Sequence, residues 1–499
     1  MDRRCFIRSS LSAAMATTLP VSHTFAASLL HSPTVVPSDI DAVTGDGAEV
    51  TLSRAAVQEL SDSLKGKLVL PGSAAYNEAR TLFYPRHNKY PALVVQPTGA
   101  ADVRHVVDFA RDNSLLLAVK GGGHAVSGTS SCDKGLQIDL SQFRNVRVDP
   151  AAKTARVAGG SLLGELDYEA MAHGLVTTAG SVSHTGVAGL TLGGGFGRLQ
   201  RRFGLTIDSV LEMDIVTPDG KLRRVGPGNE SDLYWGLRGG GGNFGVVTSF
   251  LFQLHQMQRD VVNGVIVYPL SEAKQILRFY AEYSAKMPDE MSIGAGVGAR
   301  LGREPGAVIF FVWSGDPSKA ERLIAPLRSA GTVVFENIET MDYVAVQRSG
   351  DVEDTRTFTG HVKSGFINSM TQEFVGDLVD SFEAHPDRGT RISLGRMGGA
   401  IGRVASSDTA FSQRDASFSL LSFVSWKTGA DGEEHVEYIN EHWSKMEPYS
   451  TGFYVNDYFD QSQEVVNQTY RENFPRLAKI KKQYDPTNLF RLNANIRPT

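Results

Sequence analysis

A chain of 499 residues exceeds what one hydrophobic core usually organises, so length alone sets an expectation of two domains. Hydrophobic content of 41% with 21% charged residues is that of a soluble globular protein, and a net charge of −5 leaves no basic footprint for nucleic acid. Two cysteines, Cys5 and Cys132, exclude a disulfide-stapled scaffold and offer no zinc-ligand spacing.

The N-terminus reads as a cleavable signal. Residues 2–8 (DRRCFIR) are basic, residues 11–19 form a short, weakly apolar run, and residues 24–27 (TFAA) supply a small-residue cleavage site. Arg3 and Arg4, with Phe6 two places on, resemble a twin-arginine export motif, which predicts export to the periplasm of a protein already folded around its cofactor. The apolar run is too short to span a bilayer, and no later stretch is long enough for an integral membrane span. Residues 1–27 are therefore set aside from the fold. Cys5 leaves with them, and Cys132 reads as a small packing residue.

Residues 38–56, rich in Asp, Gly and Ala, read as an exposed lead-in, and residues 57–64 and 74–80 as helices. Residues 92–97 (ALVVQP) form a β-branched run closed by proline. Residues 101–113 carry Val103, Val106, Val107, Phe109 and Ala110 at helical spacing. A strand follows over 115–119 and runs into the loop of residues 118–128 (AVKGGGHAVSG), which presents Gly121, Gly122, Gly123, His124 and Gly128. Successive glycines let backbone approach a ligand closely, so that N–H groups converge on an anion such as a pyrophosphate. Strands over 136–139, 147–149 and 154–158 come next. A helix opening at Ser161, with Glu165 in its first turn and Gly174 at its end, completes the first lobe.

A second glycine cluster occupies residues 178–197 (TAGSVSHTGVAGLTLGGGFG), and a third residues 238–248 (RGGGGNFGVVT). Between them lie a strand over 210–217, a turn at 218–220 and a short helix over 233–237. Residues 245–254 alternate as a strand with one buried face. From residue 261 strands (265–268, 292–298, 307–313, 417–425) alternate with amphipathic helices (271–284, 317–329), which predicts an α+β substrate domain over an antiparallel sheet. Residues 469–483 read as a helix with one basic face, and YDPTNLF then returns the chain to the first part of the fold.

No glycine cluster has the strand, GxGxxG and helix of a dinucleotide-binding Rossmann unit, so a nicotinamide site of that kind is disfavoured. The segments PALVVQPTGAADV, VKGGGH, SHTGVAGLTLGGGFG, RFGLTIDSVLEMDIVTPDG, LYWGLRGGGGNFGVVTSF and YDPTNLFRLNANI, in this order, resemble the FAD-linked oxidases of the berberine bridge enzyme-like group, within the vanillyl-alcohol oxidase superfamily. The resemblance covers residues 90–252 and 454–496. It implies FAD as cofactor and an α+β fold: a two-lobed FAD-binding domain of the PCMH type over residues 86–258, an inserted substrate domain over 259–450, and a C-terminal berberine-bridge-type segment over 451–499. Residues 28–85 are the lead-in.

The resemblance assigns His124 as the residue bonded to the flavin 8α-methyl carbon. A second tether, a cysteine in many members, is absent: Val182 stands at its position, so the flavin is expected to be singly attached. His184 reads as a cleft or packing histidine. Thr185 falls where members place a side chain against the reactive edge of the flavin; it is small enough to admit oxygen and polar enough to hydrogen-bond the ring. Gly121, Gly122, Gly123, Gly128, Gly180, Ser183, Gly186, Gly189, Gly193, Gly194 and Val247 are the remaining candidate flavin contacts from the glycine-rich segments. Asn493 and Asn495 alternate onto one face of RLNANI and match positions beside the flavin. Arg198, Arg201 and Arg202 read as solvated.

Hydride loss from a hydroxyl-bearing carbon needs a base whose pKa is tuned toward working pH. Members of the group tend to use a tyrosine in a YxNY strand, where this chain has Tyr454–Tyr458 as YVNDY. In a strand, side chains alternate, so either Asp457 replaces the base or a bulge re-aims Tyr458, and Tyr454 and Tyr458 are otherwise sheet aromatics. The expected activity is hydride removal from a small organic alcohol, carbohydrate or aromatic substrate, with oxygen as acceptor and peroxide as product. The alternatives are a dehydrogenase using another acceptor, a flavin-dependent cyclising or C–C bond-forming enzyme, and a flavin-binding protein that has lost its base.

Overall fold

The computed structural model describes residues 33–298, 304–351, 358–385, 389–457 and 462–499. Three sheets carry the architecture. The first has Lys67–Val69 antiparallel to Leu93–Gln96, followed by Leu136–Asp139 and Leu117–Lys120 as parallel neighbours. Helix Ala100–Asp112 makes the crossover between two of these strands and buries Val103, Val106, Val107 and Ala110, the apolar stripe visible in its sequence. Its start is held by Asp102, whose carboxylate accepts the backbone N–H groups of Lys65, Gly66 and Thr98 at 2.9–3.0 Å. That explains why a charged side chain is buried there.

The second sheet has five antiparallel strands in the order Leu222–Val225, Val210–Val216, Val246–Gln253, Thr154–Ala158 and Val146–Asp149. Its core also takes in Leu477 and Ile480 from the C-terminal helix Phe474–Tyr484. A fully buried side chain of this size contributes roughly 1.5–3 kcal/mol. The third sheet has seven strands, all paired antiparallel, drawn from residues 260–427, with helices Ala273–Ser284 and Gln372–Glu383 contributing to its core. The α+β class and the antiparallel sheet are thus as the sequence predicts. Strands Phe335–Asp342, Phe358–Ile367 and Arg391–Arg396 are additional to those read from sequence.

Several local expectations change. Residues 38–56 are built into the fold: Ile40–Val43 pairs with Glu49–Leu52, and Val36, Ala42 and Leu52 are buried. The helix expected to open at Ser161 runs Leu163–Met171, and Ser161 instead exchanges hydrogen bonds with the backbone of Asn145. The expected basic face of residues 469–483 loses Lys481, which is fully buried and donates from Nζ to Asp485, to the Asn243 carbonyl and to the Phe490 carbonyl at 2.7–2.9 Å. This buried pair ties YDPTNLF to the third glycine segment.

Candidate active site

The three glycine segments and the C-terminal segment line one cavity of about 370 Å3. Two of its loops meet backbone to backbone: a Cβ on Gly122 would stand 2.2 Å from the Gly186 nitrogen, and one on Gly186 would stand 2.3 Å from the Gly122 nitrogen. Only residues without a side chain permit this contact. It brings His124, after the first glycines, beside Thr185, before the second.

His124 is half-buried, and Phe83 stacks on its ring with centroids 4.1 Å apart. Its Nε2 lies 2.7 Å from Nδ1 of His184, and its Nδ1 lies 3.4 Å from Oγ1 of Thr185. Burial, followed by the His184 ring, pushes its pKa down to about 3, so the imidazole is neutral at ordinary pH and keeps a lone pair.

A second cluster on the same wall holds Tyr84, Phe196, Tyr454 and Asp457. The expected strand at residues 454–458 is a turn: Val455–Asp457 is a single 3-10 turn, with the Asp457 N–H donating to the Tyr454 carbonyl at 2.8 Å. Strand alternation therefore does not separate Tyr454 from Asp457, and both line the cavity. Tyr458 lies outside the described residues. Burial pushes the Asp457 carboxyl up to about 7, partly offset by a hydrogen bond from Ser364. The Tyr454 oxygen accepts from Asn456 Nδ2 at 2.7 Å and from the N–H groups of Gly195 and Phe196 at 3.0 and 3.4 Å. Phe196 stacks on its ring at 4.2 Å. Burial also raises the Tyr84 phenol to about 12, with the Asp457 charge adding to it, so Tyr84 keeps its proton.

Of the residues read from sequence, Gly121, Gly122, Gly123, His124, Thr185, Gly186, Gly189, Val247, Asn493, Tyr454 and Asp457 line this cavity. Others stand behind its wall. Gly128, with φ +69°, turns the first loop against the His87 ring. The Gly180 carbonyl takes the Gln347 amide, and Ser183 is bonded to Asp351. Gly193 leaves room for Asn456, and Gly194 lies beside Phe411 and Tyr454. The Asn495 carbonyl accepts from Gln463. The arginines after the second cluster are not simply solvated: Arg198 and Arg202 are half-buried and all three bond within the protein. Arg201 is buried and donates to the carbonyls of Met397 and Met287, Arg202 donates to that of Ser314, and Arg198 to the Gln347 side chain.

Tyr84 and Phe196 are among the cavity residues not singled out from the sequence. The signal for Tyr84 was an aromatic pair, Phe83–Tyr84, in an otherwise polar stretch. A flavin nucleotide fits the residues present. The close backbone approach at Gly122 and Gly186 makes a side-chain-free cradle, and Asn493 Oδ1 on the wall is a buried acceptor with no hydrogen-bond partner among the described residues. No group of three or more His, Cys, Asp or Glu side chains able to hold a metal ion lies among the described residues. No helix among them is long and apolar enough to cross a membrane.

Comparison with known proteins bears on the cofactor. Residues 91–226 match the FAD binding domain family, and residues 438–497 match the family described as berberine and berberine like. An FAD-linked oxidoreductase of Dictyostelium discoideum is 30% identical over 450 residues, covering 89% of this chain and 97% of that protein. The (R)-6-hydroxynicotine oxidase of Paenarthrobacter nicotinovorans is 30% identical over 449 residues, covering 87% of this chain and 97% of that one. The crystal structure of 6-hydroxy-D-nicotine oxidase from Arthrobacter nicotinovorans superposes with a TM-score of 0.80 at 29% identity, covering 88% of this chain and 99% of that chain.

Proposed function

Because this chain belongs to the FAD-linked oxidoreductases that join an FAD-binding domain to a berberine-type C-terminal segment, we propose that it oxidises a small organic alcohol, carbohydrate or aromatic compound. FAD, when bound, would supply the two-electron acceptor, with dioxygen as the final oxidant giving hydrogen peroxide. In this reading the cofactor is held by residues 86–258 together with 451–499, and residues 259–450 contribute the substrate side.

The observation that carries the reading is that one cavity is walled both by His124, a half-buried neutral imidazole, and by Asp457, a half-buried carboxyl whose pKa is pushed up to about 7. FAD supplies the two-electron acceptor. Asp457 takes the proton from the substrate hydroxyl as hydride leaves the carbon, a role that calls for a pKa near working pH. Ser364 orients that carboxylate. Tyr454, whose oxygen is occupied by three donors, holds the turn that carries Asp457. Tyr84 keeps its proton and is available as a donor to substrate. Thr185, small and beside His124, leaves room for dioxygen, and the lone pair on Nδ1 of His124 makes that atom the site of a single covalent link.

Two measurements test this. Acid precipitation of the purified protein, with intact mass, is expected to give a yellow pellet raised in mass by one FAD; free FAD in the supernatant would refute the tether. Peroxide release in the presence of sugars, alcohols or phenols is expected. Reduction of a dye without peroxide would make the enzyme a dehydrogenase. Export rests on residues 2–27, and Arg3→Lys/Arg4→Lys protein appearing in the periplasm in normal amounts would refute it.

A further inference from the structure

We propose that His184 is a positioning residue for formation of the link between His124 and the flavin: it selects the tautomer of His124 that is nucleophilic at Nδ1 and takes the Nε2 proton as the bond forms. The inference rests on His124 being the tethering residue.

The geometry separates the two faces of the imidazole pair. Nε2 of His124 and Nδ1 of His184 are 2.7 Å apart and share one hydrogen. If His184 supplied that hydrogen, His124 would carry its own proton on Nδ1, the atom beside Thr185, and would have no lone pair there. If His124 supplies it, Nδ1 is left with a lone pair on the flavin side. His124 borders two cavities: the one lined by the glycine segments, and a separate recess of about 250 Å3 whose wall includes His184, Arg144 and Ser141. His184 borders only the second. Its Nε2 is buried and has no hydrogen-bond partner among the described residues. A hydrogen accepted at Nδ1 of His184 is therefore drawn off His124 on the side of this recess, away from the cavity lined by the glycine segments. Phe83 lies against both rings, at 4.1 Å from His124 and 5.1 Å from His184. Asp351 pins the backbone N–H and hydroxyl of the adjoining Ser183 at 2.7 and 2.6 Å. The pair is thus held from the side and from behind.

The step balances as follows. With FAD bound, a C–H bond of its 8α-methyl group would break, the proton passing to solvent and the electron pair into the flavin ring. A bond forms from Nδ1 of His124 to the 8α carbon. The proton on Nε2 of His124 moves to His184, which restores a neutral imidazole. The flavin emerges two electrons reduced, and dioxygen reoxidises it with release of hydrogen peroxide.

The test is the rate at which acid-stable flavin appears when FAD is added to flavin-free protein, read by intact mass, with reversible FAD binding titrated alongside. Loss of a proton acceptor costs about 100-fold or more in such a transfer. His184→Ala is expected to bind FAD and to tether it about 100-fold more slowly than wild type, with added imidazole, which fits the vacated space, restoring much of the rate. His184→Gln, which accepts a hydrogen bond but not a proton, is expected to be slow and to gain nothing from imidazole. Tethering at the wild-type rate in either variant overturns the proposal, as does a slow His184→Ala protein that imidazole does not rescue. If His184→Ala fails to bind FAD, the rate in His184→Gln decides. His124→Ala separates the two readings. Acid-stable flavin in that variant refutes the tether itself, whereas its absence there and its undiminished formation in His184→Ala refutes only the role of His184.

Discussion

The carboxylate of Asp351 accepts two hydrogen bonds from one residue 168 positions earlier: Ser183 donates its backbone N–H to Oδ1 at 2.7 Å and its hydroxyl to Oδ2 at 2.6 Å. The loop of His184 and Thr185 is thereby fastened to a segment that follows helix Tyr343–Arg348. Hydrogen bonds to a charged group are worth roughly 1.5–3 kcal/mol each, and Asp351→Ala leaves the Ser183 N–H without its partner. Expected is an FAD affinity lower by about 10-fold or more, measured by fluorescence titration of flavin-free protein, with Asp351→Asn between the two. Unchanged affinity in both variants would show that the clamp does not position the flavin loop.

Asp457 should set the pH dependence of flavin reduction. Its carboxyl is raised by burial to about 7, so the base form is scarce below neutrality and accumulates as pH rises through that value. Stopped-flow reduction is expected to rise tenfold per pH unit below about 7 and to level above it. Asp457→Asn should be slower by about 100-fold or more and lose that limb. A limb that persists in Asp457→Asn would place the base elsewhere.

Asp167 is buried among Gln347, Arg198 and Tyr343, and its carboxyl is raised to about 7, by burial first and only partly offset by the Gln347 amide. A carboxyl whose pKa is higher folded than unfolded binds more protons in the native state between about pH 4 and 7, so stability falls as pH rises across that window. Asp167→Asn keeps an acceptor for Gln347 and removes the titration. The variant should gain on the order of a few kcal/mol relative to wild type at pH 8 and nothing at pH 4, read from denaturant midpoints. An equal difference at both pH values would contradict the assignment.

Gly122→Ala tests the backbone contact between the two loops. Its Cβ would meet the Gly186 nitrogen at 2.2 Å, and neither neighbour is a side chain that can rotate away. The loops must part, at a cost of roughly 1–3 kcal/mol or more. The purified variant is expected to be colourless and to melt lower than wild type, whereas Gly376→Ala, in helix Gln372–Glu383 away from the cavity, where a Cβ meets nothing within 4 Å, should hold FAD. An FAD-replete Gly122→Ala protein would refute the tight approach.

Much of this site is legible in the sequence. The glycine segments announce close backbone approach, and the motif order points to FAD. The arginines at 198, 201 and 202 misled because a charged residue after a glycine loop usually faces water; here backbone carbonyls of Met287, Met397 and Ser314 and the Gln347 side chain lie in reach. YVNDY misled for a different reason. Alternation assumes a strand, and the tight turn at residues 455–457 turns both Tyr454 and Asp457 to the cavity.

The sequence by itself determined what local chemistry can determine: where backbone must pass without side chains, where apolar residues recur with helical or strand period, and which residue types are available as tether and base. Tertiary structure alone decided the partners. Nothing in the order of residues says that His124 meets His184 across 60 positions, that Asp351 reaches back to Ser183, or that desolvation pushes the carboxyl at 457 up to about 7. Those facts depend on distances and on exclusion of water, which arise only when segments remote in the chain close on one another.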